Sequence, residues 1–430
     1  MKQFSKKEKK QIIEDFRTHV SSGKVAIFEK YKMDIVMGER EGVYFWDITG
    51  SKKLINCHSN GGVFNLGHRN PNVIASLHEA TKDYDIGNHH FISNGRAALA
   101  KKIASLTPGD LDCTVFGVSG GEAIDLAIKL ARGYTKRNEI VSIEGGYHGH
   151  TGFALAAGDE AYRAPFGKMS PGFIQVPFND TAAMKKVITG NTAAVILETI
   201  PATMGMVLPD EAYLKSIRKF CDETGALLIL DEVQSGLGRT GKLWAFEYFD
   251  IIPDIFVAGK GLSGGIYPIT ATVFRTHLES FFNEHPFIHV STFGGSEIGA
   301  KVALKVLELS SNPTFLDHVN DMAILFKEAM QRLQIKHSKY IKGFNQLGLM
   351  MGIVFKDEDL GVLFTKAAYE CGMFALYSNN DKRITQLLPP LIIEEEQVNE
   401  VIDKIDKATR KLSYYRTLLR VKNAFGELLP

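Results

Sequence analysis

Lys260 follows the apolar run Ile255–Ala258 and is flanked by glycines, in Gly259-Lys260-Gly261-Leu262-Ser263-Gly264-Gly265. Its neighbours have no side chains to crowd a ligand, and a lysine amine whose pKa is lowered by its site forms Schiff bases. An exposed loop lysine is the plain alternative. Asp231 stands at the end of a second apolar run, Ala226–Leu230. A carboxylate there needs a cation or strong hydrogen bonds to stay ionised, unless it merely caps the next turn. After Val118 comes Ser119-Gly120-Gly121-Glu122, which opens a helical pattern. Two glycines let backbone N–H groups approach an anion, and a helix N-terminus adds partial positive charge. The segment has neither the Gly-Lys-Ser/Thr of a P-loop nor a GxGxxG fingerprint, so by itself it could be a tight turn. Tyr147 lies in Glu144-Gly145-Gly146-Tyr147-His148-Gly149-His150, where its ring could stack on a planar ligand or simply pack over a glycine turn. His148 and His150 have no third ligand at metal spacing, so no metal is expected.

Each feature is ambiguous alone, and their conjunction narrows the reading. An anion cradle, a stacking ring, a strand-end carboxylate and a strand-end lysine occur in one chain, in that order. Pyridoxal phosphate needs these four: a phosphate site, a ring platform, an acid for the pyridinium nitrogen and an imine-forming lysine.

Such residues must be positioned by the elements before them. Cys113–Val118, Ala193–Leu197, Ala226–Leu230 and Ile255–Ala258 read as buried strands. Between them, Ala123, Leu126, Ala127, Leu130 and Ala131 mark one helix face, and a second helix runs from a cap at Asp210 to Gly225. This alternation predicts an α/β fold, a mostly parallel sheet flanked by helices, with ligands beyond the carboxyl ends of the strands. Towards the C-terminus, Gly348–Phe355 and Leu387–Ile393 read as strands and Val398–Leu412 as a helix, a smaller α+β unit. The expected division is an N-terminal segment (1–70) contributing to the small domain and dimer contacts, a large cofactor domain (71–312) and a C-terminal small domain (313–430).

Composition excludes other classes. The 430 residues carry 50 Lys plus Arg against 49 Asp plus Glu, without the basic excess of a nucleic-acid binder. Cys57, Cys113, Cys221 and Cys371 are scattered, arguing against a disulfide framework or zinc site. The charged N-terminus does not read as a secretory signal, and no apolar run would span a membrane, so a cytoplasmic protein is expected. Glycine is the one surplus, 40 residues or about 9% against ~7% on average.

Residues 25–412 resemble the class III aminotransferases, the ornithine, 4-aminobutyrate and ω-amino acid group of fold-type I pyridoxal-phosphate enzymes. The resemblance rests on Gly42-Val-Tyr-Phe-Trp46-Asp47, Asn65-Leu-Gly-His68, Ser119-Gly-Gly-Glu-Ala123 and Tyr147-His-Gly149. It continues in Asp231-Glu-Val-Gln-Ser-Gly-Leu-Gly-Arg-Thr-Gly241, Pro253-Asp-Ile-Phe-Val-Ala-Gly-Lys260-Gly-Leu-Ser-Gly-Gly265, Ser291-Thr-Phe-Gly-Gly295 and Leu388-Pro-Pro-Leu391. It implies that Lys260 carries the cofactor as an internal aldimine and then serves as the acid–base catalyst. Asp231 would keep the pyridine nitrogen protonated, Gln234 would bond the ring's phenolic oxygen, and Tyr147 and Val233 would cover its two faces. Ser119, Gly120 and Gly121 would bind the phosphate, and Thr292 would reach the phosphate of a neighbouring subunit, making a homodimer with shared sites. The implied substrates are an amine donor and a keto or aldehyde acceptor.

Two positions depart from the family pattern. Its transaminases usually carry an arginine that clamps a substrate carboxylate before the Pro-Pro-Leu stretch, where this chain has Gln386. Arg383 is three residues away, an odd offset that would point it to the other strand face. The glutamate that pairs with that arginine, five residues after the position of Glu198, is Thr203 here. Losing both charges together is coherent, because losing one would strand the other. Either the enzyme is a transaminase of an unusual amine, or it is an aminomutase, epimerase or lyase of the same fold; a cofactor-binding protein without activity is a third possibility. His58, Asn60, Gly61 and Phe64 are expected near the pocket. Val118 and Thr199 also replace common residues.

Overall fold

The computed structural model describes residues 3–425. The ends of the expected terminal segments, 1–2 and 426–430, lie outside the described residues.

An N-terminal antiparallel sheet is formed by β1 (Met37–Glu41), β2 (Tyr44–Asp47) and β3 (Lys53–Asn56). The large sheet follows: β4 (Cys113–Gly117), β5 (Glu139–Ile143), β6 (Phe173–Val176), β7 (Thr192–Glu198), β8 (Leu227–Asp231), β9 (Ile255–Ala258) and β10 (Thr270–Phe274). Their order is β4-β10-β9-β8-β7-β5-β6, and only β10 runs antiparallel to its neighbours. The last strands are β11 (Ile341–Leu347), β12 (Met350–Phe355), β13 (Met373–Phe374), β14 (Leu376–Tyr377) and β15 (Ile384–Leu387). Of these, β13 pairs in parallel with β3, while β11-β12-β15-β14 make an antiparallel sheet.

Side-chain alternation explains why the central strands are apolar throughout. On β7, β8 and β9, Val195, Leu197, Leu228, Leu230 and Phe256 enter one core, while Ala194, Ile196, Leu227, Ile229, Ile255 and Val257 enter another on the opposite face. A sheet buried on both sides leaves its polar chemistry to the strand ends. Helix Gly120–Thr135 covers one face with the predicted stripe Ala123, Leu126, Ala127, Leu130 and Ala131, all buried. The Ser119 hydroxyl caps it by accepting from Glu122 N at 3.3 Å.

Three boundaries differ from the expected ones. Asp210 does not cap its helix with a side chain: the helix is Tyr213–Thr224, and Asp210 offers only its carbonyl to Tyr213 N at 2.9 Å. Gly348 does not lie in a strand; with φ at +57° it makes the turn between β11 and β12. The strand expected at 387–393 is β15, ending at Leu387, because Pro389 and Pro390 have no N–H to extend a ladder. Among the described residues no helix is long and apolar enough to cross a membrane.

Candidate active site

The carboxyl ends of β5, β7, β8 and β9 and the loop after β4 meet at one edge of the large sheet, around a cavity of about 360 Å³. Ser119, Gly120, Gly121, Tyr147, Asp231, Val233, Gln234 and Lys260 all line it. Eight of the nine predicted site residues are therefore brought together from segments up to 141 residues apart in sequence (260 less 119).

Lys260 Nζ donates to Gln234 Oε1 at 3.1 Å. Burial lowers the pKa of its ammonium, while the negative charge of Asp231 and Glu198 pulls the other way. The residue is held in the left-handed region at φ +39°, and its carbonyl accepts from Ser263 Oγ at 2.6 Å. A non-glycine residue there is strained, and the surrounding turn must hold it in place. Above the amine, Ser59, Asn60, Gly61 and Gly62 all have positive φ. A Cβ at position 61 would lie 3.2 Å from Lys260 Cε and 3.6 Å from Nζ, so the bare glycine leaves the amine reachable. Next to it, His58 is held neutral, its pKa depressed to about 4 by burial and then by the Lys260 charge.

Asp231 is buried. Its Oδ2 accepts from His148 Nδ1 at 2.8 Å and its Oδ1 from Val233 N at 3.0 Å. Burial works against a charge on His148, but the hydrogen bond and charge of Asp231 outweigh it and raise the histidine's pKa. Glu198 Oε1 accepts from Tyr147 N at 3.0 Å and Oε2 from Ala202 N at 3.3 Å. Burial pushes this carboxyl up to about 7. The Tyr147 ring is braced edge-on by His150 and Tyr162, at centroid distances of 5.4 and 5.3 Å. Thr199, which replaces a common residue, supports a buried carboxyl: its hydroxyl donates to Glu232 at 2.5 Å.

The positions where the family pattern carries charge are neutral here; Gln386, Thr203 and Asn380 do not themselves line the cavity but bond to the backbone of the loops after β5 and β7. Gln386 is buried on β15, and its Nε2 donates to Ala202 O at 3.4 Å. Thr203 Oγ1 donates to Gly145 O at 3.2 Å, and Asn380 Nδ2 reaches the same carbonyl at 2.6 Å. Arg383 faces away, as its odd offset predicts, and grips Asp381 through two bonds of 2.8 and 2.7 Å at the surface. Among the described residues no arginine lines the cavity.

Thr292 does not line this cavity. Its neighbours Ser291 and Gly294 border a separate groove with Phe91, Phe287 and Val290. Phe64 packs on His68 at 4.1 Å between centroids and against Gly265 of the lysine turn, without lining the cavity. Sequence reasoning weighed His148 only as a metal ligand and missed its bond to Asp231. It also missed Asn380, which carries no motif. The signal for His148 was its place directly after the ring-stacking tyrosine, beyond the end of a strand of the same sheet as Asp231.

The residues fit pyridoxal phosphate. The amine, carboxylate and amide a pyridoxal ring requires share one cavity, beside a capped helix start. A Cβ on Gly120 would rest at ordinary contact distance on the Val233 methyl groups, 3.5 and 3.7 Å, whereas one on Gly121 would meet Thr151 Oγ1 at 2.7 Å, so the cradle has little room for a side chain at that position.

Comparison with known proteins supports this fit. Residues 27–409 match the model of the class-III aminotransferases. The chain is 51% identical over 411 residues to an uncharacterized aminotransferase of Archaeoglobus fulgidus, covering 96% of both chains. It is 34% identical over 421 residues to the putrescine aminotransferase of Pectobacterium atrosepticum, covering 94% of this chain and 89% of that one. Among solved structures, acetylornithine aminotransferase from Elizabethkingia anophelis is 30% identical with a TM-score of 0.78, covering 91% of this chain and 99% of that one. Ornithine aminotransferase from Toxoplasma gondii shares the fold with a TM-score of 0.87 at 24% identity, covering 95% and 96%. The chain belongs to the class-III aminotransferase family, and it is a pyridoxal-phosphate-dependent aminotransferase of fold-type I.

Proposed function

We propose that this aminotransferase takes its amino group from a primary amine that lacks an α-carboxylate and passes it to a carbonyl acceptor. The observation that carries this reading is the neutral cluster of Gln386, Thr203 and Asn380, with Arg383 committed to Asp381. An α-carboxylate brought there would lose its hydration and find no cation to replace it. The 34% identical relative is named for putrescine, a diamine without a carboxylate, which agrees with this choice.

Bound pyridoxal phosphate would supply an aldehyde and an electron-accepting ring. Lys260 is the tethering amine. Its lowered pKa favours the neutral, nucleophilic form, which takes a proton from the substrate carbon bearing nitrogen and returns one. Asp231, oriented by His148, keeps negative charge against the ring nitrogen. Gln234 would bond the ring oxygen, Tyr147 and Val233 would cover the two ring faces, and Ser119, Gly120 and Gly121 would hold the phosphate.

The working unit we infer is a homodimer in which Thr292 reaches the neighbouring site. Exposed Phe91, Ile92, Phe287, Ile288, Val290 and Phe293 beside that residue favour this, since such apolar patches are seldom left to water. The division 1–70, 71–312 and 313–430 is our reading of the chain; the parallel pairing of β3 with β13 favours grouping the first and last parts. A cytoplasmic location agrees with four unpaired cysteines.

Borohydride reduction followed by peptide mapping should place the cofactor on Lys260; a label elsewhere, or none, overturns the assignment. Amine turnover should need a keto or aldehyde acceptor, and turnover without one would point to a mutase or epimerase instead.

A further inference from the structure

Arg239 is completely buried, and among the described residues it forms no ion pair with any carboxylate. Burial lowers the pKa of its guanidinium to about 9. An isolated cation in a protein interior is unfavourable unless its donors are used. Here three bonds from the two terminal nitrogens reach three distant segments, while the buried Nε has no partner among the described residues. Nη1 donates to Leu349 O at 3.1 Å and Pro389 O at 2.7 Å, and Nη2 donates to Asn65 Oδ1 at 2.7 Å. The backbone reciprocates, as Leu349 N donates to Arg239 O at 3.0 Å. At the β11–β12 turn, Gly348 presses against Thr240, where a Cβ would meet backbone at 2.2 Å.

The Asn65 amide held by Arg239 leads on to the reactive lysine. Asn65 Nδ2 lies where a Cβ on Gly261 would meet it at 2.9 Å, and Gly261 directly follows Lys260. The same Cβ would meet Gly62 O at 3.3 Å, beside the Gly61 that covers the amine. Asn65 O also accepts from Leu391 N at 2.7 Å, next to the Pro389 carbonyl that Arg239 holds. One guanidinium thus links the small antiparallel sheet to Asn65, whose amide donates to Leu237 O at 3.5 Å and packs against Gly261 in the strained turn of Lys260.

We propose that Arg239 is a positioning residue for Lys260: through Asn65 it seats the turn that carries the amine, and through Leu349 and Pro389 it ties that seat to the small sheet. A methionine could fill the volume but would leave three buried acceptors without donors. A lysine keeps the charge but cannot aim a rigid fork at three acceptors at once. The proposal rests on Lys260 carrying the cofactor, which borohydride mapping tests separately.

The experiment compares the full-length parent with Arg239→Lys, Arg239→Ala and Asn65→Ala. Hydrogen exchange of the 259–265 segment, measured without cofactor, should speed up at least fivefold in each variant. With cofactor loaded, the pH titration of its visible absorbance should shift, and kcat should fall about tenfold or more with a smaller change in KM. Guanidinium ion should partly restore both readouts in Arg239→Ala and leave the parent unchanged. Should Arg239→Ala fail to fold, Arg239→Lys and Asn65→Ala decide. Parental exchange rates and pH titration in either of these two overturn the proposal. So does an Asn65→Ala chain that cannot load cofactor at all, because the role would then be purely structural. A borohydride label on Lys260 combined with parental behaviour refutes the positioning role while sparing the assignment of the lysine.

Discussion

The cavity and the neutral cluster beyond it, the two ends of the region we propose as the site, are built from different chemistry. At the cofactor end, Lys260, Asp231, His148 and Glu198 form a dense set of ionisable groups, each tied to a specific partner. At the other end, Gln386, Thr203 and Asn380 bond only to backbone carbonyls and one another. Charge is retained where the reaction needs protons and electrons moved, and it is missing at the positions we propose read the substrate. On this reading, reaction type and substrate choice are written in separate residues: the first follows from a family-wide constellation, the second, we propose, from a few side chains on the small sheet and the loop after β7.

The sharpest way to break this comparison is at Lys260. Lys260→Ala should keep non-covalent cofactor binding but lose at least ~10⁴-fold in turnover, because tether and proton carrier vanish together. Near-parental turnover would mean that the wrong residue has been placed at the centre. Next comes Asp231→Asn, which keeps shape but removes the charge facing the ring nitrogen; kcat should fall ~10²–10³-fold, as when other preorganised electrostatic contacts are removed. His148→Gln should follow at about tenfold, since it only orients that carboxylate. Equal losses in the two variants would argue that His148 itself handles protons.

The neutral end makes the opposite prediction. Gln386→Arg places an unpaired cation where Thr203 offers no carboxylate, and should destabilise the fold by about 3–5 kcal/mol in urea unfolding. Adding Thr203→Glu should recover most of that loss. If the single variant is as stable as the parent, the site holds an anion partner that the geometry does not reveal.

A smaller effect should appear in the pH dependence of stability. Glu198 is pushed up to about 7 by burial, so the folded, cofactor-free protein holds its proton more tightly than the unfolded chain. Its contribution is full below the ordinary carboxylate pKa and is lost as pH rises through about 7. Glu198→Gln should flatten the melting temperature between pH 5 and 8, removing at most about 3 kcal/mol of variation. An unchanged slope would mean that Glu198 stays ionised beside His148.

How much of this was legible in the sequence differs between the two ends. The apolar runs before Asp231 and Lys260 could only be strands buried on both faces, so the sheet and its reactive edge followed from hydrophobic patterning. The substrate end was legible as an absence, the missing arginine and glutamate, but Asn380 was hidden. It acts through a 2.6 Å contact with Gly145, 235 residues away, which no local pattern encodes. Likewise, His148 gained its role only when β5 and β8 were placed on either side of β7. The surplus of glycine was a real clue, since Gly61 and Gly121 leave bare backbone where a Cβ would crowd the amine or the phosphate cradle.

The central claim is that this site reads amines by a neutral pocket. It is tested most directly by mixing the cofactor-loaded enzyme with a single amine, without acceptor, and following the loss of the cofactor's visible absorbance. Putrescine or another amine without an α-carboxylate should bleach the colour at least ~10-fold faster than ornithine or alanine at equal concentration, about 1.4 kcal/mol of discrimination. Equal or faster reaction with the α-amino acids would contradict the account.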